Sequence, residues 1–180
     1  MNYKRVFVPN SVVFITFVTF ERQEFLLQNI DLLRKAFRLT KEKYNFQIIA
    51  ISVLKNHVHM LIKPNDIIDY PNIVKDIKCN FSKEFDVLQI PDYTESQSRK
   101  NKREKSIWQR RYWEHTIVDE EDLNRHIDYI HYNSMKHYGI APKVWEYSTF
   151  KKFVENGYYD MNWCNFGDKY NIDKLSYELL

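Results

Sequence analysis

The hydrophobic pattern changes period several times along the chain, and each change marks an element. SVVFITFVTF (11–20) is an unbroken run of β-branched and aromatic residues and predicts a buried strand. In IDLLRKAFRLTKEKY (30–44), Ile30, Leu33, Phe37 and Tyr44 recur at helical spacing between Lys and Arg, which predicts an amphipathic helix. FQIIAISVLKNHVHMLIKP (46–64) holds two strands, the first ending near Leu54; Lys55-Asn56 supplies a tight turn and Pro64 a stop, so a hairpin is expected. YPNIVKDIKCNFSKEF (70–85) predicts a second helix, with Pro71 in its first turn and Ile73, Ile77, Phe81 and Phe85 on one face. Residues 91–106 follow neither period and read as an exposed loop, after which WQRRYWEHTIV (108–118) recovers strand character. DEEDLNRHIDYIHYNSMKHYG (119–139) is the clearest helix, with acids in its first turn, His and Lys in its last, and Gly139 as a stop. The remaining residues, 141–180, form short aromatic pieces broken by Gly157 and Gly167.

Strand, helix, hairpin, helix, strand, helix is the order of an α+β domain, an antiparallel sheet covered by helices. No internal repeat or second domain boundary stands out, and 180 residues suit one domain. Twelve Phe, thirteen Tyr and four Trp provide for a substantial core. Three Gly and five Pro exclude a fibrous or low-complexity chain. Cys79 and Cys164 lie far apart and outside any CxxC spacing, which reads as free thiols in a reducing compartment. MNYKRVFVPN has no signal-peptide apolar region, and SVVFITFVTF is too short to span a bilayer, so a soluble cytoplasmic protein with no membrane partner is expected.

Within the second hairpin strand, NHVHMLIKP (56–64) places two imidazoles one residue apart. Side chains alternate faces in a strand, so His57 and His59 point the same way about seven ångströms apart, while Val58, Met60 and Ile62 face the core. Two neutral imidazoles can share one divalent metal if a third group arrives; the plainer alternative is a pair of half-exposed sheet histidines. The helix at 119–139 offers that third group. Tyr129 and Asn133 are i and i+4 on one face, Lys136 continues the stripe and His126 borders it, while Leu123, Ile127 and Ile130 form the apolar side. Tyr129 is a candidate nucleophile towards a phosphodiester, and the Asn133 amide oxygen a hard ligand for Mg²⁺ or Mn²⁺. Tyr132 competes, but its i+4 partner is Lys136, which cannot ligate a metal, so spacing favours Tyr129.

The net charge of +3 says little until its distribution is considered. SRKNKREKSIWQRRYW (98–113) concentrates Arg99, Lys100, Lys102, Arg103, Lys105, Arg110 and Arg111 against Glu104, with Trp108, Tyr112 and Trp113 interleaved. Cations track phosphates and aromatic rings stack on unpaired bases. The alternative is a solvated loop whose tryptophans anchor it to the core.

Together these pieces resemble a known family. HVH is similar to the HUH motif of single-tyrosine nucleases. WQRRYWEHTIVDEEDLNRHIDYIHYNSMKHYG, VVFITFVTFERQEFL and APKVWEYSTFKKFVENGYYDMNW resemble segments of the REP-associated tyrosine transposases, relatives of the IS200/IS605 transposases. The resemblance implies a catalytic domain over 1–140, of ferredoxin-like (RRM-like) HUH type, with 141–180 as an extension on or near it. It implies cleavage and rejoining of single-stranded DNA beside hairpins by a monomer or homodimer. Tyr129 would become linked to the 5′ phosphate; His57, His59 and Asn133 would hold Mg²⁺ or Mn²⁺. Lys136 and the basic stretch, Trp108 included, would contact DNA. A catalytically silent nucleic-acid-binding module of the same fold is the alternative, and a protein built round a structural Zn²⁺ a third. Two departures stand out. The usual Asn-Pro-Val-Lys-His-Gly is NSMKHYG (133–139) here, with Tyr138 inserted, and loss of the proline lets the helix run on. The usual Met-Pro-Asn turn is LKN (54–56).

Overall fold

The computed structural model describes residues 7–91, 93–102 and 104–164. Four strands form one antiparallel sheet: β1 (Val13–Val18), β2 (Phe46–Val53), β3 (His57–Pro64) and β4 (Trp113–Thr116), in the order β2-β3-β1-β4. The helices are α1 (Ile30–Lys43), α2 (Tyr70–Glu84), the short α3 (Gln97–Asn101), α4 (Glu120–Tyr138) and α5 (Phe150–Glu155). Among the described residues, no helix is long and apolar enough to cross a membrane.

The sheet is buried on both faces, and its period-2 alternation sorts side chains between two cores. Val13, Ile15 and Phe17 of β1 with Val58, Met60 and Ile62 of β3 meet Leu33 and Phe37 of α1 and Ile73, Ile77 and Phe81 of α2. Phe14 and Leu61 face the opposite way, towards Ile127, Tyr129 and Ile130 of α4 and Phe150 of α5. Register follows from this sorting: Thr16 lies opposite His59 on one side and Trp113 on the other. An irregularity between Ile48 and Ala50 shifts the β2–β3 pairing by one residue, so Ile49 and Ala50 both join the α4 core.

Local signals account for the helix ends. Asp119 caps α4 by accepting from the Asp122 N–H at 2.8 Å. Gly139 closes it at φ 65°, where a side chain would be strained. With Ser134 and Met135 replacing the proline-containing pair, α4 continues unbroken to Tyr138. Residues after α4 return to the sheet: Trp145 Nε1 donates to the Val53 carbonyl at 3.1 Å, and Thr149 Oγ1 accepts from the Ile51 N–H at 3.0 Å.

Two expectations are corrected. Only Trp113–Thr116 of the run 108–118 is a strand, joined by an isolated bridge between Thr19 and Trp108; the residues between are drawn off the sheet because Trp108 plunges between Phe17, Phe25 and Phe81. Within 91–106 the chain is not wholly an open loop, since Ser96 caps the one-turn helix α3. The break expected at Gly167 lies outside the described residues.

Phe81 is fully buried where α2, Phe25 and Trp108 meet. Phe81→Ala is expected to destabilise the protein by about 3–5 kcal/mol, read from the midpoint and slope of chemical denaturation.

Candidate active site

β3 presents His57 and His59 on the face that α4 covers, and the two rings lie 4.7 Å apart, edge to face. Both are buried. Asn56 Nδ2 donates to the Arg22 carbonyl at 3.0 Å, which turns its Oδ1 to His57 Nδ1 at 2.6 Å. An amide oxygen only accepts, so the His57 proton sits on Nδ1 and the lone pair on Nε2. Thr16, across the β1–β3 ladder, places its hydroxyl 2.7 Å from His59 Nδ1 and so holds the orientation of that ring. Neither Asn56 nor Thr16 was singled out in the sequence. Asn56 reads as turn chemistry and Thr16 as one more β-branched residue of a strand, and only the fold shows what they hold.

α4 crosses this face with Tyr129 and Asn133 one turn apart. The Tyr129 ring lies 5.2 Å from that of His59 and 6.0 Å from Phe14. Lys136 is exposed and reaches back so that Nζ lies 5.2 Å from the centre of the Tyr129 ring. Asn133 Nδ2 donates to the Tyr129 carbonyl at 2.5 Å, and its Oδ1 is a buried acceptor with no hydrogen-bond partner among the described residues. Two imidazoles with Nδ1 engaged, and an amide oxygen with nothing to accept from, form a donor set that fits a hard or borderline divalent cation. The stripe also contains His137, whose ring lies 5.1 Å from that of His57 and which the sequence reading passed over. Its signal was spacing: His137 is i+4 from Asn133. Tyr132 turns elsewhere, to Trp163 at 6.5 Å.

A second group has ligating atoms within 4.8 Å of one another: His115, Asp122 and His126. Here the atoms are already engaged. Asp122 Oδ2 accepts from the Val118 N–H at 3.1 Å and lies 2.7 Å from His115 Nε2. His126 Nδ1 lies 2.8 Å from the Asp122 carbonyl and so carries its proton there. Burial pushes His126 down to about 4, leaving it neutral. Burial also pushes the Asp122 carboxyl up, but the His115 and Val118 hydrogen bonds outweigh it and hold Asp122 below the ordinary range. The trio is a clasp between β4 and the first turn of α4.

The basic stretch divides. Trp108 is 5% exposed, its ring packed in the core and its Nε1 donating to the Lys78 carbonyl at 3.2 Å. Arg99 is 7% exposed, donating to the carbonyls of Lys105 and Trp108, with its guanidinium 4.4 Å from the centre of the Phe20 ring. These two expected DNA contacts are corrected: an indole already surrounded by aromatic side chains and a guanidinium satisfied by carbonyls hold the 99–108 segment onto the core. Lys100, Lys102, Lys105, Arg110 and Arg111 are exposed, Arg110 pairing with Glu104 at 2.7 Å. Arg103 lies outside the described residues.

With that geometry in place, comparison with known proteins identifies the class. Residues 7–133 match the family described as "Transposase IS200 like". The chain belongs to this family, whose members are tyrosine transposases of the HUH type. It is 36% identical over 167 residues to a "Putative REP-associated tyrosine transposase" of Haemophilus influenzae, covering 90% of this chain and 92% of that one. It is 30% identical over 166 residues to a "REP-associated tyrosine transposase" of Escherichia coli, covering 90% of each. A solved structure described as a REP-associated tyrosine transposase bound to a REP hairpin superposes with a TM-score of 0.74 at 28% identity, covering 92% of each chain.

One half-buried lysine beside this stretch, Lys78, gives a pH signature. Burial, aided by the nearby Arg99, lowers the Lys78 ammonium to about 8. Between about 8 and 10.5 the unfolded chain holds this proton and the folded chain releases it, so stability rises with pH in that window. The wild type is expected to gain on Lys78→Met there by up to about 1.4 kcal/mol per pH unit, measured by denaturation of both proteins across the range.

Proposed function

We propose that this protein is a metal-dependent endonuclease and strand transferase that cleaves and rejoins single-stranded DNA beside hairpins through a 5′-phosphotyrosine intermediate. The observation that carries this reading is the approach of Tyr129 on α4 to His59, beside His57 on β3, with Asn133 one turn further along the same helix. A silent binding module needs no buried imidazole pair beside a tyrosine, and the donor set includes no thiolate that would favour a structural Zn²⁺.

In this mechanism the Tyr129 phenol oxygen attacks the phosphorus of a phosphodiester. A bond forms from Oη to phosphorus, the bond to the 3′ oxygen breaks, and that oxygen leaves as a 3′ hydroxyl after taking up a proton. The phosphoester bond is conserved, so a 3′ hydroxyl attacking the phosphotyrosine rejoins a strand without an external energy source. His57, His59 and Asn133 would hold Mg²⁺ or Mn²⁺, which when bound offsets charge on the phosphoryl oxygens. Lys136, over the Tyr129 ring, is placed to meet an approaching phosphate. Asn56 keeps His57 in the ligating tautomer, and Thr16 holds the orientation of the His59 ring. Tyr129 is 1% exposed, so strand entry has to part the side chains around it. Lys100, Lys102, Lys105, Arg110 and Arg111 supply non-specific attraction for the backbone. Residues 1–140 carry the chemistry in this reading, with 141–180 as an extension.

A labelled single strand flanked by a hairpin, incubated with the protein and Mn²⁺, is expected to give a denaturation-resistant adduct that Tyr129→Phe abolishes and Tyr132→Phe leaves. An adduct that survives Tyr129→Phe would reject the assignment. Asn56→Ala is expected to weaken Mn²⁺ binding by about 10–100-fold with the fold retained, since an unheld His57 ring divides between tautomers; calorimetric titration with Mn²⁺ measures this without any turnover.

A further inference from the structure

Between β1 and α1 the backbone is strained at one place. Glu21 and Arg22 both take left-handed conformation, at φ 52° and 55°, and neither is a glycine, asparagine or aspartate. A Cβ crowds the following carbonyl there, so two such residues in succession persist only where the surroundings impose them. The pair fills the middle of a tight turn closed by the Gln23 N–H on the Phe20 carbonyl at 3.2 Å. Both side chains are exposed, and FERQ contains none of the residues such turns favour. The strain comes from the flanks. Thr19 is fully buried and donates its N–H to the Asn56 carbonyl at 2.9 Å, and the Phe20 N–H reaches the Ile107 carbonyl at 2.8 Å. On the far side Phe25 and Leu26 are locked in the core, and the Leu26 N–H donates to the Lys55 carbonyl at 3.0 Å. Thr19 Oγ1, 2.8 Å from the Gln23 carbonyl and 3.0 Å from that of Asn56, bridges the two arms. With both arms fastened to the β2–β3 turn, the residues between them have to reverse sharply.

We propose that Arg22 is a positioning residue that acts through its main chain: its left-handed backbone fixes the sense of the Asn56 amide and thereby keeps the His57 lone pair on Nε2. What the strained pair delivers is one carbonyl. The Arg22 C=O accepts from Asn56 Nδ2 at 3.0 Å, and the Asn56 Oδ1 accepts in turn from His57 Nδ1 at 2.6 Å. In right-handed or extended backbone the peptide plane after Arg22, and with it that carbonyl, would point elsewhere. Without its acceptor the Asn56 amide can turn over and offer its NH₂ to the same ring nitrogen, which leaves the His57 proton on Nε2. A ring protonated on Nε2 has no lone pair there for a cation. The requirement falls on φ at position 22 and not on the guanidinium. The consequence for metal binding rests on the reading of His57 as a ligand given above, whereas the tautomer is a property of the metal-free protein.

The test reads two quantities on the full chain. Long-range ¹H–¹⁵N spectra without metal show which ring nitrogen carries the His57 proton, and calorimetric titration gives Mn²⁺ affinity. Asparagine tolerates left-handed backbone and a β-branched side chain does not. Arg22→Asn is therefore expected to keep the Nδ1-protonated ring and the wild-type affinity although the charge is gone. Arg22→Val is expected to divide His57 between tautomers and to weaken Mn²⁺ binding by about 10–100-fold. Arg22→Val/Asn56→Ala should bind no more weakly than Asn56→Ala alone, because both changes break one chain of hydrogen bonds. An undivided tautomer with wild-type affinity in Arg22→Val, or losses that multiply in the double variant, would overturn the proposal. So would weakened binding by Arg22→Asn, which would make the guanidinium the contributor. The wild-type spectrum decides even if Arg22→Val does not fold: a His57 proton on Nε2 would also overturn it. A wild type that holds the Nδ1 tautomer, loses it in Arg22→Val and yet takes up no Mn²⁺ would reject the metal-dependent reading and leave the role of Arg22 standing.

Discussion

β3 is hydrogen-bonded along both edges, to β2 and to β1, so its pleat can settle in only one of two ways. In the observed register Val58, Met60 and Ile62 meet the α1–α2 core, while His57, Leu61 and His59 meet α4. A slip of one residue would move three large apolar side chains away from α1 and α2 and drive two imidazoles into a hydrocarbon layer. Each displaced apolar side chain costs about 1.5–3 kcal/mol of burial and each unsatisfied ring nitrogen a comparable amount. The alternative thus costs an amount comparable to the whole margin by which a domain of this size is stable. Apolar packing on one side of the strand is what fixes the polar geometry on the other.

That geometry is carried at a cost the surroundings have to offset. His57, His59, Tyr129 and Asn133 are all buried, where neutral polar groups are tolerable only if oriented and hydrogen-bonded. Asn56, Thr16 and the Tyr129 carbonyl meet much of that demand, and each does so while aiming a side chain. Other buried polar groups on α4 do structural work of the same sort. His131, which burial pushes down to about 3, lies 2.9 Å from Thr149 Oγ1 and so ties α4 to the segment carrying α5. The Asp122 clasp fixes the opposite end of the helix against β4. α4 is held at both ends and along its middle, which is the rigidity a site divided between a helix and a strand needs.

The parts of this arrangement that follow from periodicity were legible in the sequence. Alternation put His57 and His59 on one side of a strand, and i, i+4 spacing put Tyr129 above Asn133. The helices 30–44, 70–85 and 119–139 end within a residue or so of their observed limits because their caps and stops are local chemistry. What escaped were roles set by long-range contact. Arg99 and Trp108 have the composition of a DNA-contacting loop, and only the fold shows that Phe17, Phe25 and Phe81 claim the indole. Lys78 lies on the polar side of α2, and only the fold shows that its ammonium reaches the Gln109 carbonyl at 2.6 Å. Thr16 is 43 residues from His59 along the chain, and nothing local in either stretch pairs them.

The two departures from the family pattern meet in space, which explains why neither need disturb the site. A proline at position 55 would stiffen the turn before His57 but would carry no N–H. Lys55 has one, and it donates to the Tyr138 hydroxyl at 3.1 Å; the Lys55 ammonium also lies 5.1 Å from the centre of that ring. Tyr138 is the inserted residue, and its ring stacks at 5.2 Å on Trp145, whose indole N–H bonds to the Val53 carbonyl at the end of β2. The stiffness lost with proline is therefore replaced by contacts that join the β2–β3 turn to the last turn of α4. Those are the two points nearest the site at which strand and helix could move apart: Asn56 and His57 follow directly on Lys55, and Asn133 lies little more than one turn before Tyr138. Losing either member alone would loosen the turn without restoring proline, so Lys55 and Tyr138 hold the turn as a pair.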